Sequence, residues 1–325
     1  MLDLSTYKTF PETMNGAVLA IGNFDGVHLG HKAVLTYAID IAARRNASAG
    51  VMFFSPHPRQ YFSPDTPLFM LTNPRQKRAE FEKIGLNFAL ELPFDAELAQ
   101  KSAEEFVQNV LVEGVKVSHV VVGYDFFFGR GRGGNPQILR ELGEQFGFGV
   151  TVAPAEGHLA SDDDKPLDNA VSGSGQLIYS SSLVRDALEE GQVKRAASIL
   201  GRNWQVEGVV TSGAGRGEGL GFPTANISLS KGCHLHHGIY AAFVHHKSAV
   251  YKGAAYFGKR PSFDNSEPVL EVFLFDYDGN LYGEDIAIEF IDFVREDIKF
   301  SDMDELKAQM DDDCKVIEQV LRKFE

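Results

Sequence analysis

Hydrophobic and polar positions along the first half of the chain follow two alternating periods. Short apolar runs predict strands, and they lie at 17–24, 49–55, 88–94, 118–126 and 149–155. The stretches between them have helical periodicity, at 30–45, 73–85, about 102–112 and about 135–146. Strands that alternate with helices are typical of right-handed crossover units and a parallel sheet. The pattern therefore predicts a doubly wound α/β domain.

The pattern changes in the middle of the chain. Residues 157–177 are rich in Asp, Ser and Gly, which predicts a long exposed loop. Three consecutive aspartates, Asp162 to Asp164, would suggest a metal site only if their geometry were fixed, and a solvated loop is the simpler interpretation. Residues 181–201 have helical periodicity, and we expect this helical stretch to join the two halves.

After Trp204 the chain consists of short β-branched and aromatic runs separated by turn residues. Several such strands in a short stretch predict a small antiparallel β-barrel. The Y-D-G-N sequence at 277–280 predicts a hairpin, and 301–324 predicts an amphipathic terminal helix with Ser301 as its N-cap. We therefore expect two domains, at 1–186 and 187–325.

Composition excludes several classes of function. The 325 residues carry a net charge of -14, which argues against charge-driven binding of nucleic acid or an anionic membrane. No apolar run approaches the roughly 20 residues that span a bilayer, and no secretory signal is recognised. The two cysteines, Cys233 and Cys314, are far apart, so we expect a cytoplasmic protein without disulfides. Weak self-association is left open.

The first group of chemically informative residues is G-N-F-D-G-V-H-L-G-H at 22–31. An apolar strand that runs into glycines and then a helix presents backbone N–H groups, which form an anion site. His28 and His31 would lie at the helix start, where they can donate to phosphate oxygens and stabilise developing charge. A glycine-rich turn with incidental histidines is the alternative, and a zinc site is weaker because a third ligand is not recognised at a suitable spacing.

This string resembles a nucleotidyltransferase signature of the G-x-F-D-x-x-H-x-G-H type, whose enzymes transfer a nucleotide to a phosphate acceptor and release pyrophosphate. A second signature of such enzymes places Ser or Thr at the start of a helix, followed by an Arg that holds the nucleotide phosphates. S-S-S-L-V-R at 180–185 fits it, with Ser180 to Ser182 and Arg185. Alone, this second string would indicate only an ordinary N-cap.

The second group lies in the predicted barrel, in G-F-P-T-A-N-I at 221–227. Thr224 and Asn226 flank one residue, so on an extended strand their side chains share a side. Their oxygens are hard ligands suited to Mg²⁺ with nucleotide phosphates, although a strand edge with two surface polar residues is the alternative. Glu271, in V-L-E-V, is either an outward-facing carboxylate or a desolvated base.

With L-G-F-P-T-A-N, the following G-I-Y, G-x-R-P-S-F, L-E-V and Y-G, the second half resembles riboflavin kinase. Together with the first signature, the whole chain resembles the bacterial bifunctional riboflavin kinase/FAD synthetase family. The resemblance implies that the second domain phosphorylates riboflavin with ATP to give FMN. It implies that the first domain adenylylates FMN with ATP to give FAD and pyrophosphate. ATP, riboflavin, FMN and FAD are then substrates or products, and Mg²⁺ is the cofactor.

The resemblance also implies roles for individual residues. In the kinase domain, Thr224 and Asn226 would hold Mg²⁺ and ATP phosphates, and Glu271 would be the base. Further residues of that domain would shape the nucleotide loop, namely Gly221, Phe222 and Pro223, while Arg295 would lie near the flavin. In the first domain, His28 and His31 would be catalytic, and the ATP-binding residues would be Gly22, Asn23, Phe24, Asp25, Gly30, Asp125, Ser181 and Arg185. The flavin or adenine would lie near Pro56, His57, Phe62 and Phe128.

Two other functions are compatible with the sequence. Phe127 stands where the family usually has Arg, and Ile178 where a basic residue is frequent. A monofunctional riboflavin kinase with an impaired adenylyltransferase domain is one alternative. A non-catalytic regulator that binds flavin or nucleotide is the other, and it would bind flavin without turnover.

Overall fold

The computed structural model of the chain describes residues 1–159, 176–211, 222–229, 232–259 and 268–324. The chain divides into two compact units. The first comprises Met1–Leu68 and Thr72–Ser181, and the second comprises Phe69–Leu71 and Ser182–Glu325. Gly221, the aspartates at 162–164 and most of the G-x-R-P-S-F sequence lie outside the described residues.

A six-stranded parallel sheet forms the centre of the first unit, in the order β1-β4-β3-β2-β5-β6. Its strands are β1 (Leu2–Leu4), β2 (Val18–Ile21), β3 (Ala49–Ser55), β4 (Phe88–Pro93), β5 (His119–Gly123) and β6 (Gly149–Ala153). Five of the six are the predicted strands, whereas the three-residue β1 was not recognised because it is too short for a periodic pattern.

The helices of the first unit follow the predicted alternation with the strands. They are α1 (Leu29–Arg45), α2 (Pro58–Phe62), α3 (Pro74–Ile84), α4 (Ala96–Gln100), α5 (Ala103–Glu105), which continues as a π-helix over Phe106–Val115, and α6 (Pro136–Phe146). Local sequence sets their ends: Asn73 and Gln76 form a capping box at the start of α3, and Gly85 ends it in the left-handed conformation. The short helices α2 and α4 were not predicted.

Both faces of the parallel sheet are covered by apolar side chains. Along β2, Leu19 and Ile21 pack in one core cluster with the π-helix, and Val18 and Ala20 pack in a second with α1. A strand that is buried on both faces needs an uninterrupted apolar sequence, so the prediction from 17–24 is confirmed.

The predicted loop at 157–177 is wrong at its ends, which pair as an antiparallel sheet of β7 (Gly157–Leu159) and β8 (Gln176–Ile178), and its residues 160–175 lie outside the described part of the chain. The helical stretch predicted at 181–201 forms two helices, α7 (Ser181–Glu189) and α8 (Val193–Leu200). Gly191 lies between them with φ +75°, a conformation that helical residues do not adopt and that glycine allows.

The second unit is built around a closed antiparallel barrel in the order β10-β13-β12-β11-β14-β9. Its strands are β9 (Gln205–Thr211), β10 (Thr224–Ile227), β11 (Gly238–His246), β12 (Ala249–Gly258), β13 (Val269–Leu274) and β14 (Asp285–Glu296). The predicted barrel is confirmed. The hairpin expected at 277–280 is wrong, because β13 and β14, which flank it, each pair with other strands. A tight hairpin instead joins β11 to β12, with Lys247 at φ 54°.

The terminal helix α9 (Met303–Leu321) covers part of the outer barrel surface. Its Ile317 and Leu321 pack in a cluster with Ala241, Phe275 and Ile291 of the barrel unit. Asp302, and not the expected Ser301, is its N-cap, since the Asp302 carboxylate accepts from the amide of Glu305. Among the described residues, none of the helices has both the length and the hydrophobicity to cross a membrane.

The segment Phe69–Leu71 belongs to the second unit although it lies far from it in sequence. The indole Nε1 of Trp204 donates to the Leu71 carbonyl at 3.0 Å, and Arg185 Nε donates to the Phe69 carbonyl at 2.5 Å. The Trp204 ring also stacks on Phe290 of β14. These contacts bury Trp204 to 4% exposure.

Candidate active sites

Residues Gly22–His31, called the histidine turn here, lie where the order of the strands in the parallel sheet reverses. β2 pairs with β3 on one side and with β5 on the other, so the chain order reverses at β2. In open α/β sheets, ligands bind beyond the carboxyl ends of the strands at this point. Residues 22–28 follow β2 directly, and residues 124–128 follow β5.

The backbone of this turn is held in conformations that L-residues rarely adopt. Phe24 has φ 49° and Val27 has φ 44°, and Gly26 between them has φ 83°. The Phe24 ring folds back over Gly22, where an added Cβ would lie 3.1 Å from it. That ring is 2% exposed and packs edge-to-face on Phe81, so the side chain of Phe24 belongs to the core.

His28 and His31 are brought together as expected. His28 is the N-cap of α1, and its Nδ1 accepts from the amide of His31 at 3.3 Å. The two rings stack with their centroids 3.6 Å apart. A neutral His28 whose Nδ1 accepts carries its proton on Nε2, which leaves that N–H as the donor. Gly30 makes room for the His28 ring, since an added Cβ would lie 3.2 Å from it.

The environment of His31 keeps its imidazole neutral. Burial is the main cause that lowers the pKa of His31 well below its usual value, and the nearby His28 and Lys77 add to it. Nδ1 of His31 and Oδ1 of Asn23 are both buried without a hydrogen-bond partner among the described residues. Buried polar atoms of native proteins are nearly always satisfied, so two such atoms in one turn fit a site that is completed by a polar ligand.

The turn is fastened to the beginning of α3 by contacts that the sequence did not indicate. Thr72 donates to Asp25 Oδ1 through its amide at 3.1 Å and through its hydroxyl at 3.2 Å. The same hydroxyl accepts from the amide of Gly26 at 2.9 Å. Lys77 Nζ donates to the carbonyl of Asn23 at 3.1 Å. The carboxylate of Asp25 is therefore engaged within the protein, and not every amide of the turn is available to an anion.

The serine signature lies beside this turn, as predicted. Ser181 Oγ donates to the carbonyl of Asp25 at 2.9 Å, which joins the two signatures within the first unit. The Cβ of Tyr179 lies beside Gly30, 3.4 Å from where a glycine Cβ would be. Arg185 is part of the second unit, where it donates to Phe69.

The residues expected near the flavin fall into two environments. Phe62 is 65% exposed and makes edge contacts with Tyr61 and Phe94, so its ring is available to a planar ligand. His57 follows Pro56 at the end of β3 and caps α2, with its Nδ1 accepting from Arg59.

Phe128, by contrast, is 8% exposed and packs against Phe106 and Phe126 in the core. Its ring is therefore part of the core, and its place near the flavin stays a prediction. The neighbouring residue Phe127 is exposed, and the guanidinium carbon of Arg132 lies 4.4 Å from the centroid of the Phe127 ring. Asp125 is also exposed in this loop.

In the barrel, β-sheet register places the second group of residues on one surface. Asn226 of β10 lies opposite Glu271 of β13, and Thr224 lies two residues from Asn226. The intervening Ala225 and Val272 point to the buried interior, so Thr224, Asn226 and Glu271 share the outer face. Thr224 Oγ1 lies 3.5 Å from Glu271 Oε2. The shared side that was predicted for Thr224 and Asn226 is confirmed, and Glu271 lies on the same side, partly buried beside the buried Asn226.

The other residues expected in the kinase site differ in their surroundings. Phe222 is buried against Phe273, and Pro223 is exposed. Arg295 forms a paired ion bridge with Asp313 of α9, at 2.8 Å and 2.7 Å, and a third bond to the carbonyl of Glu296. Most of its guanidinium therefore binds within the second unit, and its place near the flavin stays a prediction.

The chemistry of the outer-face residues fits a hard cation. The described residues hold no group of three or more His, Cys, Asp or Glu side chains arranged for a metal ion. Thr224 and Asn226 instead offer neutral oxygens beside the Glu271 carboxylate, and Mg²⁺ accepts few protein oxygens when phosphate oxygens and water complete its shell.

The fold and the two sites define a class, a two-module transferase that combines a nucleotidyltransferase-type sheet with a small β-barrel. Sequence comparison agrees: a model of the FAD synthetase family matches residues 10–162, and a model of the riboflavin kinase family matches residues 200–321. The chain belongs to the bifunctional riboflavin kinase/FMN adenylyltransferase family.

Relatives resemble the chain along nearly its whole length. The curated bifunctional riboflavin kinase/FMN adenylyltransferases of Haemophilus influenzae and Escherichia coli strain K12 are each 34% identical to it. The first alignment covers 92% of both chains, and the second covers 91% of this chain and 90% of the relative. A crystal structure described as a macrolide-efflux protein from Streptococcus pneumoniae matches with a TM-score of 0.81 at 26% identity and covers 98% of each chain.

Proposed function

We propose that this bifunctional riboflavin kinase and FMN adenylyltransferase makes FAD at the Gly22–His31 turn and FMN on the barrel face around Glu271. The main support for the proposal is that the residues of each signature lie close together in the folded chain. Ser181 bonds to the histidine turn, and Glu271 lies opposite Asn226. Both family models and the curated relatives agree on the pair of activities. The transferase activities, and not macrolide efflux, are therefore proposed for this chain.

In the adenylyl transfer, a phosphate oxygen of FMN attacks the α-phosphorus of ATP and pyrophosphate leaves. The chain supplies position and charge stabilisation, and no side-chain nucleophile is needed. Nε2–H of His28 donates to a phosphate oxygen, and the neutral His31 donates through its ring N–H. Both donors are held by α1 and so need little reorganisation as charge develops on the leaving group. Ser181, Asn23 and Gly30 shape the phosphate site. That Arg185 holds ATP phosphates is a proposal that rests on the family resemblance of the serine signature alone.

In the kinase reaction, the ribityl 5′-hydroxyl oxygen attacks the γ-phosphorus of ATP while Glu271 accepts the hydroxyl proton, and ADP leaves. Thr224 and Asn226 would hold Mg²⁺ with the ATP phosphates. The bound ion would neutralise charge on the transferred group. Phe222 and Pro223, with Gly221, are proposed to shape the nucleotide loop beside them.

The remaining assignments are also proposals. Exposed Phe62, with Pro56 and His57, is proposed to contact the flavin of the first site, and Asp125 the nucleotide. Phe128, whose ring lies in the core, and Arg295, which pairs with Asp313, are also proposed to lie near the flavin. We place the domain boundary at 186/187, which is supported by the division of the units after Ser181 and by the two family matches. A cytoplasmic location is proposed because the two cysteines are far apart in the sequence, and small-molecule substrates fit the net charge of -14, which disfavours nucleic-acid and membrane binding.

The test is product analysis of three variants of the full chain. Purified protein is incubated with ATP, Mg²⁺ and either riboflavin or FMN, and the flavins are separated by chromatography. His31→Ala is expected to stop FAD formation while FMN accumulates, with a loss of roughly a hundredfold or more for one charge-stabilising donor. Glu271→Gln is expected to stop riboflavin phosphorylation and yet convert supplied FMN to FAD at the wild-type rate.

The third variant concerns the metal. Asn226→Ala is expected to need more Mg²⁺ for riboflavin phosphorylation and to make FAD from supplied FMN normally. Wild-type protein that forms neither FMN nor FAD would refute the function itself. Glu271→Gln protein that is folded by circular dichroism and loses both activities would refute the assignment of the two reactions to separate sites.

A further inference from the structure

The beginning of helix α3 holds the histidine turn on both sides of Phe24. Lys77 donates to the carbonyl of Asn23, immediately before Phe24. Thr72 contacts Asp25 and Gly26, immediately after it, through its amide and its hydroxyl. These contacts join groups that are 46 to 54 residues apart in sequence. Neither Thr72 nor Lys77 belongs to a motif that indicated phosphate chemistry.

The turn needs such support because its backbone is strained. Phe24 and Val27 both adopt the left-handed conformation, which costs non-glycine residues about 1–3 kcal/mol each at strained sites. A strained conformation persists only where surrounding contacts determine it. Thr72 and Lys77 supply these contacts at the carbonyl, amide and carboxylate groups that frame Phe24 and Gly26.

Burial makes the contacts selective for one conformation. Thr72 is 4% exposed, Asp25 is 2% exposed and Lys77 is 3% exposed. A buried polar group that loses its partner carries its full desolvation penalty, so alternative arrangements of the turn are disfavoured. The Thr72 hydroxyl is central, because it accepts from the Gly26 amide and donates to the Asp25 carboxylate at the same time.

We propose that Thr72 and Lys77 are positioning residues for adenylyl transfer, which fix the turn so that the His28 and His31 rings meet the phosphates in one geometry. The inference rests on the proposed FAD site. His28 follows the held segment Asn23–Gly26 by two residues, and the His31 ring packs edge-to-face on Phe24 at 5.2 Å. A shift of the turn therefore moves both imidazoles. The ammonium of Lys77 adds a positive field, which helps to lower the pKa of His31 and keeps that ring neutral.

The test compares substitutions at Thr72 in the full chain. Thr72→Val keeps the shape and the amide bond to Asp25 but removes the hydroxyl. It is expected to lower kcat for FAD formation from FMN at least about tenfold with a small change in KM for FMN, because catalytic geometry is lost and not flavin binding. Thr72→Ser keeps the hydroxyl and is expected to stay within about threefold of wild type. Lys77→Met is expected to lower kcat in the same way as Thr72→Val.

Two controls separate this role from general destabilisation. Thr36→Val removes another threonine hydroxyl of the first unit, one at an exposed position of α1 that donates to the Lys32 carbonyl, and should leave FAD formation unchanged. Riboflavin phosphorylation by each variant should also be unchanged. Amide hydrogen exchange adds a readout that does not depend on turnover: the Gly26 amide is expected to be protected in wild type and in Thr72→Ser, and exposed to exchange in Thr72→Val.

The results of these experiments distinguish the positioning role of Thr72 from the proposed function of the site. A wild-type protein that makes no FAD would contradict the proposed function rather than this inference. If wild type makes FAD and folded Thr72→Val keeps its kcat, Thr72 is not a positioning residue. If Thr72→Val does not fold, the wild-type exchange measurement remains, and an unprotected Gly26 amide would overturn the proposal.

Discussion

At the scale of single residues, the neutral state of His31 has a measurable effect on stability. Its pKa is lowered by burial first and then by His28 and Lys77, whereas the unfolded chain titrates near 6.5. The unfolded state therefore binds a proton at a pH at which the folded state does not. The stability that this group contributes is complete above about pH 6.5 and is lost as the pH falls toward the folded pKa.

We expect His31→Gln, which cannot bind that proton, to reduce the acid sensitivity of the first unit. The difference in its melting temperature between about pH 7.5 and about pH 5.5 should shrink by several degrees, since about 1 kcal/mol corresponds to 2–4 °C at this domain size. Differential scanning calorimetry measures it. The same substitution at exposed His234 of the second unit serves as the control, and an unchanged pH dependence in His31→Gln would contradict the expectation.

The contrast between Asp25 and His31 shows what the sequence could provide at this scale. Residue types and spacing were enough to place His28 and His31 at a helix start after a strand. They could not show that Asp25 bonds to Thr72, because that contact crosses 47 positions and involves a threonine in an ordinary sequence. The core position of the Phe128 ring was not visible from the sequence for a similar reason, since neighbours such as Phe106 come together only in the folded chain.

At the scale of elements, the pairing of Arg295 with Asp313 joins strand β14 to helix α9. The Asp313 side chain is 6% exposed and also accepts from Gln309, so its charge relies on Arg295 for compensation. Removing one partner of a buried pair leaves an uncompensated charge, which costs about 3–5 kcal/mol when burial is complete. The Arg295 side chain is 20% exposed, and solvent therefore reduces the effect.

We expect Arg295→Met to lower the free energy of unfolding of the second unit by about 2–3 kcal/mol. Trp204 is the only tryptophan of the chain, so its fluorescence during urea unfolding reports on that unit. Lys315→Met, which breaks an exposed pair with Asp312 on the same helix, is the matched control and should change stability by less than about 1 kcal/mol. Equal losses in the two variants would show that the Arg295 pair does not anchor α9.

Helices and strands could be predicted where a pattern of hydrophobic and polar positions extended over several residues. The five longer parallel strands and the barrel strands were recognised in this way, and β1 and the short helices were not. The Y-D-G-N sequence failed because local turn propensity does not state which strands pair. β13 and β14 are consecutive in the chain but separated in the barrel, a fact that only closure of the sheet determines.

At the scale of the whole molecule, the second unit is not one continuous stretch of chain. It includes Phe69–Leu71, whose carbonyls accept from Arg185 and from the indole of Trp204. A fragment of residues 187–325 contains the kinase face but lacks both Arg185 and the Leu71 carbonyl. Trp204 then loses the acceptor of its buried N–H and its edge contact with Phe69.

We expect this fragment to phosphorylate riboflavin with a less stable barrel. Its tryptophan emission should be red-shifted, and its urea midpoint should be lower than that of the same transition in the full chain, because a lost buried hydrogen bond costs about 1–3 kcal/mol. Trp204→Phe removes the only tryptophan, so its urea unfolding is followed by circular dichroism. It should lower the midpoint in the full chain more than in the fragment, where the bond is already absent. Identical midpoints and emission maxima for fragment and full chain would contradict the role of the segment.

Closure of the barrel also determines where the protein is exposed to aggregation. A strand at the edge of a sheet can pair with a strand of another molecule, and a closed barrel removes its edges. The longest described strand, the 12-residue β14, has both neighbours in place. Among the described strands, the unpaired edges belong to the first unit, at β1, at β6 and in the β7–β8 pair, and each of these strands has five residues or fewer. The longest described strands therefore lie in the barrel, where their backbone hydrogen-bonding groups cannot pair with another molecule as long as the barrel stays closed.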